Sequence, residues 1–178
     1  MPASGNTRWG WHRLAPTWAD RIVADAGISP GDLVVDIGAG GGAVTAPLVT
    51  AGARVIAVEL HPQRLALLRA RFADDDVVVV RADAADLRLP RRPFRVVANP
   101  PFAATTQVLK RLLGPGSRLV RADLVVQRAA AHRWASGRAP GAGRWARDYD
   151  LALGRPVPRR AFTPRPPVDC TTLVITRR

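Results

Sequence analysis

From residue 33 onward, short apolar runs alternate with stretches whose apolar residues recur every three or four positions. Leu33 to Ile37, Arg54 to Leu60, Val77 to Val80, Phe94 to Ala98 and Ala122 to Gln127 read as strands. Most are nearly continuous in apolar residues, as strands covered on both faces are. Asp150 to Leu153 and Thr171 to Thr176 complete the strand set. The intervening stretches predict helices over about 43–51, 61–72, 104–113 and 128–135. An earlier helix over Pro16 to Ala26 carries Trp18, Ile22, Val23 and Ala26 on one face. Pro16 fits the first turn of that helix and Gly27 the position just past its end. Alternating strands and helices imply an open, mostly parallel, seven-stranded sheet with helices on both faces. Such sheets bind ligands at the carboxyl ends of their strands.

A chain of 178 residues is long enough for one domain with a real core and short for two. We therefore expect a single catalytic domain over residues 1–178, with residues 1–15 as an N-terminal arm. No apolar run is long enough to span a bilayer, and the first residues lack the apolar core of a signal peptide. The expected location is the cytoplasm, with no membrane partner. The single cysteine, Cys170, excludes an internal disulfide and a Cys-rich metal site. The three histidines show no ligand spacing, so no metal is expected.

Charge changes the picture further. The formal net charge is +13, and Lys110 is the only lysine. Arginine, alanine, glycine and proline share GC-rich codons, which accounts for the Arg-to-Lys ratio. It does not account for the excess of cations over carboxylates, which points to a polyanionic partner. Arginine suits phosphate because its planar fork binds bidentately. Ser136 to Arg147 reads as a mobile basic loop and Pro156 to Pro167 as a Pro-Arg segment. Their Arg138, Arg144, Arg147, Arg159, Arg160 and Arg165 are the candidate nucleic-acid contacts. The plain alternative is that many are simply solvated.

Four expected strand ends carry suggestive chemistry. After the first come Gly38, Gly40, Gly41 and Gly42, which let a ligand approach the backbone closely. Glu59 ends the second, where a carboxylate can accept from ribose hydroxyls. Asp83 follows the third and can accept from an exocyclic amine, although an acid there also suits a helix N-cap. With Ala43, the glycine loop also fits a loose dinucleotide fingerprint, so a nicotinamide enzyme stays open on that motif alone. The fourth end, Asn99-Pro100-Pro101-Phe102, argues for different chemistry. Asn99 brings an acceptor carbonyl, two prolines fix φ and remove backbone donors, and Phe102 adds a flat apolar face. Such a corner suits a flat ring bearing an amine.

These residues resemble a known family. Val35-Asp36-Ile37-Gly38-Ala39-Gly40 and Val55 to Leu60 look like the first motifs of S-adenosylmethionine-dependent methyltransferases, implying their class I, Rossmann-like fold. Asn99-Pro100-Pro101-Phe102 looks like the corresponding motif of amino-methyltransferases. Phe162-Thr163-Pro164-Arg165-Pro166-Pro167-Val168-Asp169-Cys170 resembles the Phe-x-Pro-x-Pro-x-Val-Asp-Ser signature of rRNA adenine N6-methyltransferases, the Erm-type and dimethyladenosine-transferase group. Gln127 to Arg133 resembles that group's helix after the fifth strand.

The resemblance implies S-adenosylmethionine as cofactor and rRNA, preferably 23S and free of protein, as partner. It implies macrolide–lincosamide–streptogramin resistance as the outcome. By the matching motifs, His12, Leu14, Asp36, Gly38, Gly40, Glu59, Leu60, Asp83, Ala84 and Asn99 would hold the cofactor. Asn99 and Pro100 would orient the target N6, and Phe102 and Phe162 would stack on the flipped base. Trp11 and Arg13 stand where the family has Gln and Phe. Pro100 stands where rRNA enzymes more often have Ile or Leu, and Pro at this place also occurs in DNA adenine methyltransferases. Small-subunit rRNA and DNA thus stay open as substrates, as does a catalytically silent RNA binder on the same fold. A monomer without the family's C-terminal helical domain is expected.

Overall fold

The structure, a computed structural model, describes residues 11–178. The N-terminal arm expected over residues 1–15 therefore falls, up to residue 10, outside the described residues. Strands β2 (Leu33–Ile37), β3 (Arg54–Glu59), β4 (Val77–Arg81), β5 (Phe94–Ala98), β6 (Leu119–Gln127), β7 (Tyr149–Val157) and β9 (Cys170–Arg177) form one seven-stranded sheet. Its order is β4-β3-β2-β5-β6-β9-β7, parallel except for β9, which runs antiparallel to β6 and β7. The chain moves outward from β2 through β3 to β4, then crosses back to β5 on the other side of β2. The β2–β5 junction is therefore the topological switch point, where such sheets open a crevice.

Side chains alternate across the sheet because successive residues of a strand point to opposite faces. Val35, Val96 and Leu124 enter one core with Val108, Leu109 and Leu112 of helix α4 (Thr105–Leu112) and Trp134 of α5 (Arg128–Ala135). Val34, Val97 and Val125 enter the other core with Ile22 and Val23 of α1 (Pro16–Ala26) and Leu48 of α2 (Thr45–Thr50). Helix α3 (Pro62–Arg71) covers β3 and β4 with Leu68 and the following Phe72. Both faces are thus covered, as the alternating pattern requires. Helix α1 has the bounds its periodicity predicts. Pro16 sits in its first turn, and Gly27, at φ 61°, returns its N–H to Ala24.

Three features depart from the sequence expectation. The stretch expected as a mobile basic loop is folded: it holds α6 (Ala142–Trp145), and Trp145 stacks on Trp134 at 4.7 Å between ring centroids. The sixth strand extends well past Leu153, to Val157, across a register shift between Leu153 and Pro156. β7 is an edge strand, where a proline costs no ladder bond on the open side. Finally, β1 (Arg13–Leu14) pairs antiparallel with β8 (Phe162–Thr163), tying the N-terminal segment to the Pro-Arg segment.

Candidate active site

The loop after β2 turns on Gly38, Gly40 and Gly42, whose positive φ would strain most other residues. Gly38 has φ 74°, and a Cβ there would lie 2.8 Å from Pro101 Cδ. The glycine loop and the Asn99 corner are therefore in direct contact across the switch point. Between them and the ends of β3 and β4 lies a cavity of about 420 Å³. Its walls include Gly38, Glu59, Leu60, Asp83, Ala84, Asn99, Pro100 and Phe102. Four strand ends flagged by the sequence thus converge on one space.

Glu59 is buried and braces this space. Its Oε2 accepts the Gly40 N–H at 2.8 Å, and its Oε1 accepts the N–H groups of Leu60 (3.0 Å) and His61 (2.8 Å). Three of about four acceptor positions are thus used, leaving one for a ligand hydroxyl. Asp83 realises its plain alternative as well: its Oδ1 accepts the Ala85 N–H at 2.9 Å and caps a short 3-10 turn over Ala84–Asp86.

Asn99 is held differently. Its Nδ2 donates to the His12 carbonyl at 2.8 Å, which fixes which way the amide faces. Its Oδ1 is then a buried acceptor without a partner among the described residues. A buried amide oxygen left unpaired is costly, so such a group marks a place where a ligand donor belongs. Phe102, half-buried, is stacked by His12 at 5.4 Å and met edge-on by Phe162 at 6.3 Å.

Not every expected site residue reaches the cavity. Phe162, 2% exposed, lies behind Phe102 in the core and is not a wall of the cavity. Leu14, its β-ribbon partner, is likewise a core residue. Asp36 is buried, and its Oδ2 accepts from the Thr45 hydroxyl at 2.7 Å. Burial pushes its carboxyl up to about 7, opposed by the Thr45 bond and helped by Glu59. A Cβ on Gly40 would collide with the Trp11 indole at 2.6 Å, so this glycine sits behind Trp11.

Trp11, Arg64 and Gln107, which the sequence did not single out for the site, do line the cavity. The Arg64 guanidinium lies 4.2 Å over the Trp11 ring and 4.0 Å from Glu59. Burial holds its pKa below the usual arginine value, and Glu59 opposes that. Arg64 could have been found from its place in the first turn of α3, just after Glu59. The Trp11 contact is long-range and left no local signal.

The candidate RNA-contacting arginines separate into two groups. Arg159, Arg160 and Arg165 follow the end of β7 and flank Phe162, at the same sheet edge as the cavity. Arg138, Arg144 and Arg147 precede Tyr149, which pairs with Arg177 at the opposite edge. Among the described residues no group of three metal-ligating side chains occurs, and no helix is long and apolar enough to cross a membrane. Burial and the nearby Asp169 push the Cys170 thiol up to about 12, so it is no nucleophile near neutral pH.

A switch-point cavity with a glycine loop, acids at the next two strand ends and an Asn-Pro-Pro-Phe corner defines a class I S-adenosylmethionine-dependent methyltransferase fold. A family model for ribosomal RNA adenine dimethylases matches residues 4–178, and the chain belongs to that family. The mycinamicin-resistance protein MyrB of Micromonospora griseorubida is 38% identical over 147 residues, covering 82% of this chain and 47% of that protein. The ribosomal RNA small subunit methyltransferase A of Thermosynechococcus vestitus is 35% identical over 184 residues, covering 94% and 68% respectively. The crystal structure of the 23S rRNA methyltransferase ErmE matches with a TM-score of 0.77 at 28% identity, covering 91% of this chain and 68% of that one. The chain spans about half the length of the first curated relatives it matches.

Proposed function

We propose that this chain is the catalytic domain of an S-adenosylmethionine-dependent enzyme that methylates N6 of an adenine in 23S rRNA. The observation that carries this reading is the Asn99 amide. Its orientation is fixed by the bond to the His12 carbonyl, and its buried Oδ1 lacks a donor among the described residues. An exocyclic amine supplies that donor. The Pro100 carbonyl, at the same corner, accepts the second amine hydrogen. Two acceptors on the amine hydrogens aim the nitrogen lone pair out of the corner, toward the glycine loop.

The cofactor, when bound, supplies a methyl group already activated by its positively charged sulfur. The protein's work is then alignment rather than acid–base chemistry. Gly38 passes the cofactor's methionine part, Glu59 offers its remaining acceptor position to the ribose, and Asp83 accepts from the adenine amine. The residues fit this group: Gly38 lines the cavity without a side chain, and the carboxylates of Glu59 and Asp83 line the same space as acceptors. Phe102 stacks on the target base, while Phe162 and His12 brace its ring. The proton lost from N6 leaves to solvent, since the corner offers carbonyls and no base.

Methylation of 23S rRNA, with macrolide-type resistance as its consequence, is supported by the likeness to MyrB and to ErmE. A second reading, a small-subunit rRNA adenine, is favoured by the relative from Thermosynechococcus vestitus. Transfer of labelled methyl to isolated 23S rRNA, compared with 16S rRNA and duplex DNA, separates the readings. Labelling of 23S alone supports the first; labelling of 16S or DNA in its place overturns it.

A further inference from the structure

The strand end that carries Phe162 has a second side. From Val157 the chain forms a wall up to Phe162, in which Val157, Ala161 and Phe162 are core residues. Phe102 packs against this core from the cavity side, and the half-buried Trp18 of α1 packs against the same core. Beside Trp18 opens a hollow of about 570 Å³, lined by Arg128, His132, Val157, Arg160 and Asp169. The Arg128, His132 and Arg160 side chains are exposed, and none makes a hydrogen bond or ion pair among the described residues. Arg21 lies 5.0 Å over the Trp18 ring. Two neighbouring charges are already committed: Arg155 binds Asp25 (2.8 Å), and Asp169 Oδ1 accepts the Arg159 N–H at 3.0 Å.

We infer that this hollow binds an unpaired nucleotide of the RNA substrate, next to the nucleotide whose adenine enters the Asn99 corner. The inference rests on the reading of the chain as an RNA methyltransferase and adds a place for the neighbouring nucleotide. Arg128 and Arg160 bring uncommitted forks that match a phosphate bidentately. Trp18 with Arg21 forms an aromatic and cationic surface of the kind on which bases stack without regard to sequence. An acidic protein partner would use the arginines but would not need the aromatic wall. The hollow lies at the carboxyl ends of β6 and β7, the same sheet edge as the Asn99 corner, so a strand with one base in the corner can reach Arg160.

The test uses the full chain and a fluorescent, protein-free rRNA fragment, with binding measured across a salt series. Arg128→Glu with Arg160→Glu should lower RNA affinity at least tenfold at moderate salt. Milder alanine replacements at both positions should make the log–log salt slope shallower by about 1.4, or about 0.7 per lost single-strand phosphate contact. Trp18→Leu should weaken single-stranded RNA about tenfold while leaving the slope in place. S-adenosylmethionine affinity, read by calorimetry, should stay at the wild-type value in all variants, which also reports on folding. Unchanged RNA affinity and slope in both arginine variants, with methyl transfer by the wild type intact, overturn the hollow and leave the enzymatic reading standing. Lost affinity in the variants, with no methyl transfer by the wild type, supports the hollow and overturns the enzymatic reading.

Discussion

Asn99 donates from Nδ2 to the His12 carbonyl at 2.8 Å, and its own buried Oδ1 has no donor among the described residues. The bond makes the acceptor role of Oδ1 a property of the fold. Asn99→Ala removes the acceptor and the tether together. Turnover should fall about a hundredfold, the scale expected when a reacting group loses its alignment. Cofactor affinity should fall far less, because Gly38, Glu59 and Asp83 remain. Single-turnover methyl transfer and calorimetric cofactor binding check this; equal losses in both would remove Asn99 from the target-amine role.

Phe162 and Phe102 meet edge to face at 6.3 Å, with Phe162 in the core. Phe162→Ala should cost about 3–5 kcal/mol of stability, as large-to-small core changes do. Phe162→Leu keeps most of the apolar volume and loses mainly the ring contact, about 0.5–1.5 kcal/mol. Turnover of the leucine variant should drop several-fold because Phe102 is less firmly placed. Thermal unfolding and kinetics on one preparation check this. A leucine variant with wild-type turnover would leave Phe162 a core residue and nothing more.

Asp36 gives the protein a pH dependence of stability. Burial raises its carboxyl from the ordinary 3.8 to about 7. The folded state therefore holds a proton that the unfolded state has already released. The associated stability is complete below 3.8 and is lost as pH rises through about 7. Asp36→Asn keeps an acceptor for the Thr45 hydroxyl and removes the titration. The melting temperature of the variant relative to wild type should rise between about pH 5 and pH 8. A constant difference over that range would contradict the buried, protonated Asp36.

The sequence revealed most where local pattern and structure coincide. β2, β5, α1 and α5 have the bounds their periodicity predicts, because each is set by its own apolar spacing and end residues. That Glu59, Asp83 and Asn99 share one cavity was legible because parallel strands bring their carboxyl ends to one edge. What stayed hidden depends on distant contacts. α6 has no apolar period of its own, and its Trp145 is stacked on Trp134 from another helix. The burial of Phe162 follows from its pairing with Leu14, almost the whole chain away. Trp11 covers Gly40 although nothing in either segment announces the other.

The two arginine groups should behave differently toward RNA. Arg165→Ala, at the same sheet edge as the cavity, should weaken binding and make the salt slope shallower by about 0.7–0.9. Arg144→Ala, at the opposite edge, should leave the slope of a short fragment centred on the target adenine unchanged. Titrations of both variants across a salt series check this. A shallower slope for Arg144→Ala would bring the opposite edge into the interface.

The central claim is that the Asn99 corner presents the N6 of an rRNA adenine for methylation. Mass mapping of isolated 23S rRNA after incubation with the protein and isotopically labelled S-adenosylmethionine tests it most directly. Labelled methyl should appear on N6 of an adenine in an unpaired segment and be abolished by Asn99→Ala. Label on another atom, on another polymer in place of rRNA, or undiminished in the Asn99→Ala protein would contradict it.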